Sequence, residues 1–160
     1  MVGILPGLIS EEQAGFVKDR SIMENILLTQ EIVTDMRLRT KAGPNVVIKL
    51  DLMKAYDRLS WLFLTKVLRK MGFSERFIRL GSKARGSIVS DTFILAAEAL
   101  SRGLNSLHTN LYFCGFGMPK WSPKINHLTN ADDTIIFSSS DATSLRLIME
   151  ILQVYENASG

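Results

Sequence analysis

The chain has very few residues of the kinds that cross-link a small protein or bind transition metals. Its 160 residues include one cysteine and two histidines. A single cysteine excludes an internal disulfide and any cysteine-based metal cluster, and we expect Cys114 to be a buried apolar residue. No apolar run approaches the roughly 20 residues that cross a bilayer, and the first ten residues lack the pattern of a secretion signal. The sequence therefore predicts an intracellular protein without a membrane partner.

Basic residues are concentrated in the middle of the chain. The net charge is only +3, but residues 37–85 contain thirteen basic and three acidic residues, whereas both flanking segments are acidic. A block of this kind favours a surface that faces phosphate groups, because clustered Lys and Arg supply most of the affinity for a nucleic-acid backbone. A solvated helix face is the alternative, and for charge alone it is the better explanation.

Two adjacent carboxylates lie within a predicted β-hairpin. Asp132 and Asp133 fall between a mixed apolar run and a β-rich run in residues 126–137. Adjacent aspartates repel, so a fold that places them between strands needs a counter-charge, most often a divalent cation. A second short β-branched run, residues 45–51, ends on Asp51. If the two segments are neighbours, Asp51 and Asp132 can hold two cations about 3.5 to 4 Å apart, as in phosphoryl transfer. Solvated surface acids are the alternative.

The residues around these carboxylates resemble a known family. Residues 49–58 (KLDLMKAYDR) and 131–133 (ADD) resemble the first and third palm motifs of reverse transcriptases from plant non-LTR (LINE-type) retrotransposons. The resemblance extends, in the family's order, through residues 13–22, 61–73, 93–105 and 115–128. It covers most of the chain.

The resemblance implies RNA-directed DNA polymerisation by two-metal phosphoryl transfer. It assigns Asp51, Asp132 and Asp133 as catalytic ligands of Mg²⁺ or Mn²⁺. It makes Tyr56 the steric gate that crowds the 2′ position of an incoming nucleotide. The implied partners are an RNA template, a DNA primer and deoxynucleoside triphosphates.

The resemblance also implies nucleic-acid contacts through Lys18, Arg20 and Arg85. Two positions depart from the family pattern. Asp19 replaces the glycine that usually separates the first two basic residues, and its acid would oppose a phosphate. Asn130 replaces the tyrosine that usually precedes the acidic motif, which removes a ring near the primer end.

A larger departure lies at residues 81–92, a Gly/Ser-rich joint where the family has several dozen more residues. Most of the second palm motif, which positions template and nucleotide, is missing there. We therefore expect an internal deletion and an impaired or inactive polymerase, because phosphoryl transfer depends on positioning. A catalytically dead nucleic-acid-binding remnant and an inert pseudogene product are the alternatives. Residues 1–42 would be the end of a fingers region, and residues 43–160 a palm.

The predicted fold class is α+β, a partial polymerase palm in two layers. A small antiparallel sheet from the strands near Val46 and in residues 126–138 should be backed on one face by helices near residues 61–71, 92–107 and 142–156. Its edges should be poorly covered and its stability marginal. Capping patterns predict further helices that begin after Ser10 and Ser21, the second with its apolar stripe at Ile22, Ile26, Val33 and Met36. A short strand is predicted at residues 111–113.

Overall fold

Helices cover one face of a small antiparallel sheet, and one helix covers part of the other face. The computed structural model describes residues 7–15, 17, 19–38, 43–52, 59–83, 89–117, 124–130 and 133–159. The helices are α1 (Ile22–Leu38), α2 (Trp61–Lys70), α3 (Glu75–Lys83), α4 (Val89–Ser106) and α5 (Ala142–Ser159). The strands are β1 (Asn45–Asp51), β2 (His127–Asn130) and β3 (Asp133–Ser139). The predicted α+β class is confirmed. All three predicted helices form, but only α4 and α5 back the sheet, because α2 packs on other helices and not on a strand. Within these residues no helix is long and apolar enough to cross a membrane.

The strands form one sheet in the order β1-β3-β2, and both pairs are antiparallel. β2 and β3 make the predicted hairpin, in which Asn130 pairs with Asp133. β1 lies on the other side of β3 and runs from the Asn45–Ser139 pair to the Asp51–Asp133 pair. The two segments that carry the acidic motifs are therefore neighbours, as the proposed cation site requires.

One face of the sheet packs against α4 and α5. The apolar residues on that face are Ile48 and Leu50 of β1 and Ile136 of β3, and they belong to one core with residues of both helices, namely Leu100, Leu104, Ile148 and Leu152. The helix residues repeat every four positions, the spacing that predicts a single buried stripe. The two helices also approach closely, since a Cβ at Gly103 would lie 3.0 Å from Ile151 Cγ2.

The opposite face is partly covered by α1, which the sequence did not assign to the sheet. Ile32 of α1 packs with Phe116, Leu128 and Phe137. The predicted apolar stripe of this helix is wrong in its first turns, because Ile22 and Ile26 are 45% and 39% exposed. Asn25 turns inward instead, and its side-chain amide donates a hydrogen bond to the Glu12 carbonyl at 3.0 Å. The first turns of α1 are therefore attached by the hydrogen bond of Asn25, where the periodicity predicts apolar contacts.

Residues 12–14 lie along the outer edge of β2, so the helix predicted after Ser10 does not form. The backbone N–H of Ala14 donates to the Thr129 carbonyl at 3.0 Å, and that of Thr129 donates to the Glu12 carbonyl at 2.9 Å. The Ser10 hydroxyl, which was expected to cap a helix, donates to Glu98 at 2.6 Å. The expectation of poorly covered edges is therefore wrong for β2.

The segment that follows α4 also differs from the prediction. Residues 111 and 112 form a turn rather than a strand, because the Asn110 side chain accepts the Tyr112 N–H at 2.9 Å, as asparagine does in turns. Cys114, expected to be buried, is exposed. By contrast, α2 begins after Ser60 and ends before Gly72 as predicted, and Gly72 adopts a φ of +86° that favours glycine.

Candidate active site at the end of the sheet

Three oxygen-bearing side chains form a row across one end of the sheet. Asp51 of β1 lies directly opposite Asp133 of β3, and Asp133 lies directly opposite Asn130 of β2. Residues that oppose one another in an antiparallel pair have side chains on the same face, with Cβ atoms about 4.5 to 5.5 Å apart. This carboxylate row, which consists of Asp51, Asp133 and Asn130, is therefore a consequence of strand register alone.

This row lies on the face that α1 covers only in part. Alternation along β3 puts Asp133 on the same face as Ile135 and Phe137, the residues that pack toward α1 and Phe116. The cover does not extend to the end of the strands, where the Asp133 side chain remains 41% exposed and Asp51 is exposed as well. Solvent and a bound ligand can thus reach both carboxylates.

Lys49 provides a positive charge at the row. Its Nζ lies 2.9 Å from Asp133 Oδ2. Lys49 precedes Asp51 by two residues, so that period-two alternation puts both side chains on the same face of β1. The protein therefore supplies part of the counter-charge that the adjacent aspartates require, at Asp133. We missed it in the sequence because we considered only a cation, although a lysine two positions before a strand-end acid was the available signal.

Asn130 Oδ1 is buried and makes no hydrogen bond to any described group. A buried carbonyl oxygen without a donor is costly, and it lies beside the aspartate whose charge the site must balance. Carboxylate and amide oxygens are the ligands that Mg²⁺ prefers, so the donor set suits a hard divalent cation. In the part of the chain that the structure describes, no three acidic, histidine or cysteine side chains converge as a metal site. A third carboxylate would have to come from Asp132, which lies outside the described residues.

Three more of the predicted site residues lie outside the described residues as well, namely Lys18, Tyr56 and Arg85. Arg20 is described, and its guanidinium holds the N-terminal loop together. Nη1 donates to the carbonyls of Ser10 and Gln13, the latter at 2.7 Å, and Nη2 donates to the Ile9 carbonyl at 2.8 Å. These contacts give Arg20 a structural role, and its contact with nucleic acid stays a prediction.

A buried histidine lies on the other face of the sheet, at the opposite end of β2 from Asn130. His127 is fully buried, and burial, with the neighbouring His108, lowers its pKa to about 4. Asn126 donates its amide to the Leu104 carbonyl at 2.6 Å, so its Oδ1 must accept from His127 Nδ1, at 2.7 Å. The neutral ring then has Nε2 free to accept from the Ser101 hydroxyl, at 2.6 Å. The histidine is thus a structural link between β2 and α4.

A comparison with protein families adds one finding. The family model described as reverse transcriptase (RNA-dependent DNA polymerase) matches residues 3–160, which is nearly the whole chain. The match includes the strands that bring Asp51 and Asp133 together and the loop between β2 and β3. The chain belongs to the reverse transcriptase (RNA-dependent DNA polymerase) family.

Proposed function

We propose that the carboxylate row is the cation site of an RNA-directed DNA polymerase palm, with Asp51, Asp132 and Asp133 as ligands of Mg²⁺ or Mn²⁺. The observation that carries this proposal is the register that puts Asp51 opposite Asp133 at the open end of the sheet. A pair of divalent cations bound there would neutralise the charge of a transferred phosphoryl group. The substrates would be an RNA template, a DNA primer and deoxynucleoside triphosphates.

The remaining roles follow from the family resemblance. Tyr56 would exclude a 2′-hydroxyl by bulk, and Lys18, Arg20 and Arg85 would contact nucleic acid. The fragment would derive from a plant LINE-type element and act inside the cell. Lys49 adds a role for this chain, because its ion pair with Asp133 holds that carboxylate in place before any ligand arrives.

We further propose that polymerase activity is impaired. The sequence between α3 and α4 lacks most of the motif that positions template and nucleotide in the family. Loss of positioning can cost many orders of magnitude in rate, whereas loss of one charged ligand costs less. Metal binding and catalysis are therefore separable here, and each needs its own assay.

Thermal unfolding in Mn²⁺ tests the cation site. A ligand that binds only the folded state stabilises it by about 1.4 kcal/mol when its free concentration is ten times Kd. For a domain of this size, that corresponds to a rise of roughly 3 to 5 °C in Tm. Asp51→Asn and Asp133→Asn should each remove most of the rise, because each deletes one anionic ligand.

The matched control is Glu150→Gln, which also removes one negative charge. Glu150 is exposed on α5 and pairs only weakly with Arg146, at 3.8 Å. This variant should keep the full response to Mn²⁺. Equal responses in the wild type and in both aspartate variants would mean that the carboxylate row does not bind the cation.

Primer extension tests the proposed impairment. The wild-type protein should produce no templated DNA under conditions in which an intact reverse transcriptase is active. Templated synthesis that Asp51→Asn abolishes would show that the chain is a working polymerase and that the missing motif is dispensable.

A further inference from the structure

A groove between α2 and α4 carries unpaired positive charge on the far side of the molecule from the carboxylate row. It encloses a volume of about 510 Å³, within the range of ligand sites in proteins. The lining is mainly apolar: Phe63 and Val67 come from α2, Met71 directly follows that helix, and Ala99 and Ala158 come from α4 and α5. Lys66 and Lys70 complete the α2 wall.

The two lysines determine the net charge of this groove. The other ionised pair in the lining is Glu98 and Arg102, joined at 2.7 Å, and each is satisfied further by contacts with residues 8–10. Lys66 and Lys70 are exposed, and neither ammonium group makes an ion pair or hydrogen bond with another residue that the structure describes. They lie four positions apart on α2, hence one above the other along the groove.

The stretch of sequence that contains the α2 wall is basic too. Residues 59–83, which include α2 and α3, contain six basic residues and one acid. That acid, Glu75, is already bound by Arg69. A solvated helix face would explain lysines alone, but it does not explain an apolar groove beside them.

The groove is separated from the carboxylates by two layers. α2 packs mainly against α4, and also against α3 and α5, while α4 and α5 pack on the sheet face formed by Ile48, Leu50 and Ile136. The carboxylate row lies on the opposite face of that sheet. A ligand in the groove cannot be the primer end at the carboxylates.

We propose that the groove between α2 and α4 is a binding site for single-stranded nucleic acid. The phosphates would contact Lys66 and Lys70, and a base would lie against Phe63, Val67 and Met71. Proteins that bind single strands without reading their sequence combine a positively charged groove with aromatic side chains, and Phe63 is the aromatic side chain in the lining of this groove. This site goes beyond the polymerase proposal and does not depend on it.

The test is fluorescence anisotropy with labelled oligo(U) and oligo(dT) of about 12 nucleotides, a length within the usual size of such sites. Each phosphate contact on a single strand adds about 0.7 to the slope of log affinity against log salt. The double variant Lys66→Gln/Lys70→Gln should therefore lower the slope by about 1.4. Between about 50 and about 200 mM salt, its affinity should change about sevenfold less than that of the wild type.

Two further variants make the test specific. Lys124→Gln/Arg146→Gln removes two exposed positive charges outside the basic segment 37–85 and should leave the slope unchanged. Ala158→Phe narrows the groove without altering charge, and since Ala158 is exposed the fold should tolerate it. The Ala158→Phe variant should bind single strands severalfold more weakly than the wild type. Its affinity for a duplex, which we expect to be lower than that for single strands, should be unchanged. Binding of both oligonucleotides is measured in EDTA, without divalent cation, so that the result does not depend on the cation site.

Three results would overturn the proposal. The first is an equal loss of slope in the two double variants, which would mean diffuse attraction to the whole surface. The second is normal single-strand binding by Ala158→Phe, which would exclude a base from the groove. The third is Lys66- and Lys70-dependent binding to vesicles of equal parts phosphatidylcholine and phosphatidylserine without binding to the oligonucleotides, which would identify an anionic lipid surface as the partner. Melting curves of all variants exclude loss of folding as the cause.

Discussion

His127 should make the stability of this protein strongly dependent on pH between about 6.5 and 4. In the folded state burial lowers its pKa to about 4, whereas an unfolded histidine titrates near pH 6.5. Between those values the unfolded chain binds a proton that the folded chain does not, so the free energy of unfolding falls as pH falls. The contribution of neutral His127 is fully present above pH 6.5 and is lost on acidification.

The size of the effect follows from the difference in pKa. At 1.36 kcal/mol for each unit, the loss amounts to about 3 kcal/mol by pH 4. That is a large part of the 5 to 15 kcal/mol that stabilises a typical domain. Urea unfolding followed by circular dichroism at a series of pH values measures it directly.

The matched variant is His127→Gln, whose amide can form hydrogen bonds but does not titrate. It should be less stable than the wild type at neutral pH, and the two curves should converge as the pH approaches 4. Carboxylate protonation affects both proteins alike, so the difference between them isolates the histidine. The stability of His108→Gln should still fall with pH much as that of the wild type does, because the His108 ring is only partly buried.

Parallel curves for the wild type and His127→Gln would refute this reasoning. A physical route to that result exists in the network around Ser101. Ser101 Oγ lies 3.1 Å from Ser10 Oγ, and Ser10 donates to Glu98. If a charged imidazole donated to Ser101, that hydroxyl could turn and donate to Ser10. The proton on His127 would then be linked to the buried Glu98 carboxylate, and the pKa would stay near its ordinary value.

Three other substitutions test separate parts of the structure. Lys49→Met should cost less than about 1 kcal/mol of stability because the ion pair is exposed. The same variant should bind Mn²⁺ about tenfold more tightly in titrations followed by Tm, because a competing charge is removed. Unchanged or weaker Mn²⁺ binding would contradict this. Arg20→Met should destabilise by about 2 kcal/mol in urea unfolding through lost donors to backbone carbonyls, and a change below the error of that measurement would contradict its structural role. Gly103→Val should destabilise by about 1 to 3 kcal/mol, because its side chain would meet Ile151 where α4 and α5 cross; an unchanged urea midpoint would show that the helices can separate without cost.

The sheet and its backing helices could be predicted because the local signals agree with the tertiary structure there. The apolar spacing at Leu100 and Leu104 and the glycine after α2 each predict the structure that forms. That β1 lies beside the hairpin was predicted from the order of the family's motifs, because no local pattern in the sequence indicates it. Once β1 and the hairpin are neighbours, the opposition of Asp51 and Asp133 follows.

The errors arise where long-range polar contacts override local patterns. Ser10 has a good capping sequence, but its hydroxyl is bound by Glu98, 88 residues away in sequence. Asn25 occupies the buried side of α1, where its amide donates to the Glu12 carbonyl and also contacts the Thr129 carbonyl of β2. No periodicity rule contains such information, since the partner is set by the tertiary structure.

Because Lys49 lies beside Asp133, the carboxylate row does not depend on a cation to neutralise all of its charge. Adjacent aspartates that depended on a metal for neutralisation would keep the end of the sheet from forming in its absence. Here the ion pair between Lys49 and Asp133 balances part of that charge within the chain. The sheet can therefore fold without a cation, and a cation at the proposed site would have to compete with the Lys49 ammonium group for Asp133. The acidic row keeps its arrangement whether or not a cation binds, because Lys49 stabilises it.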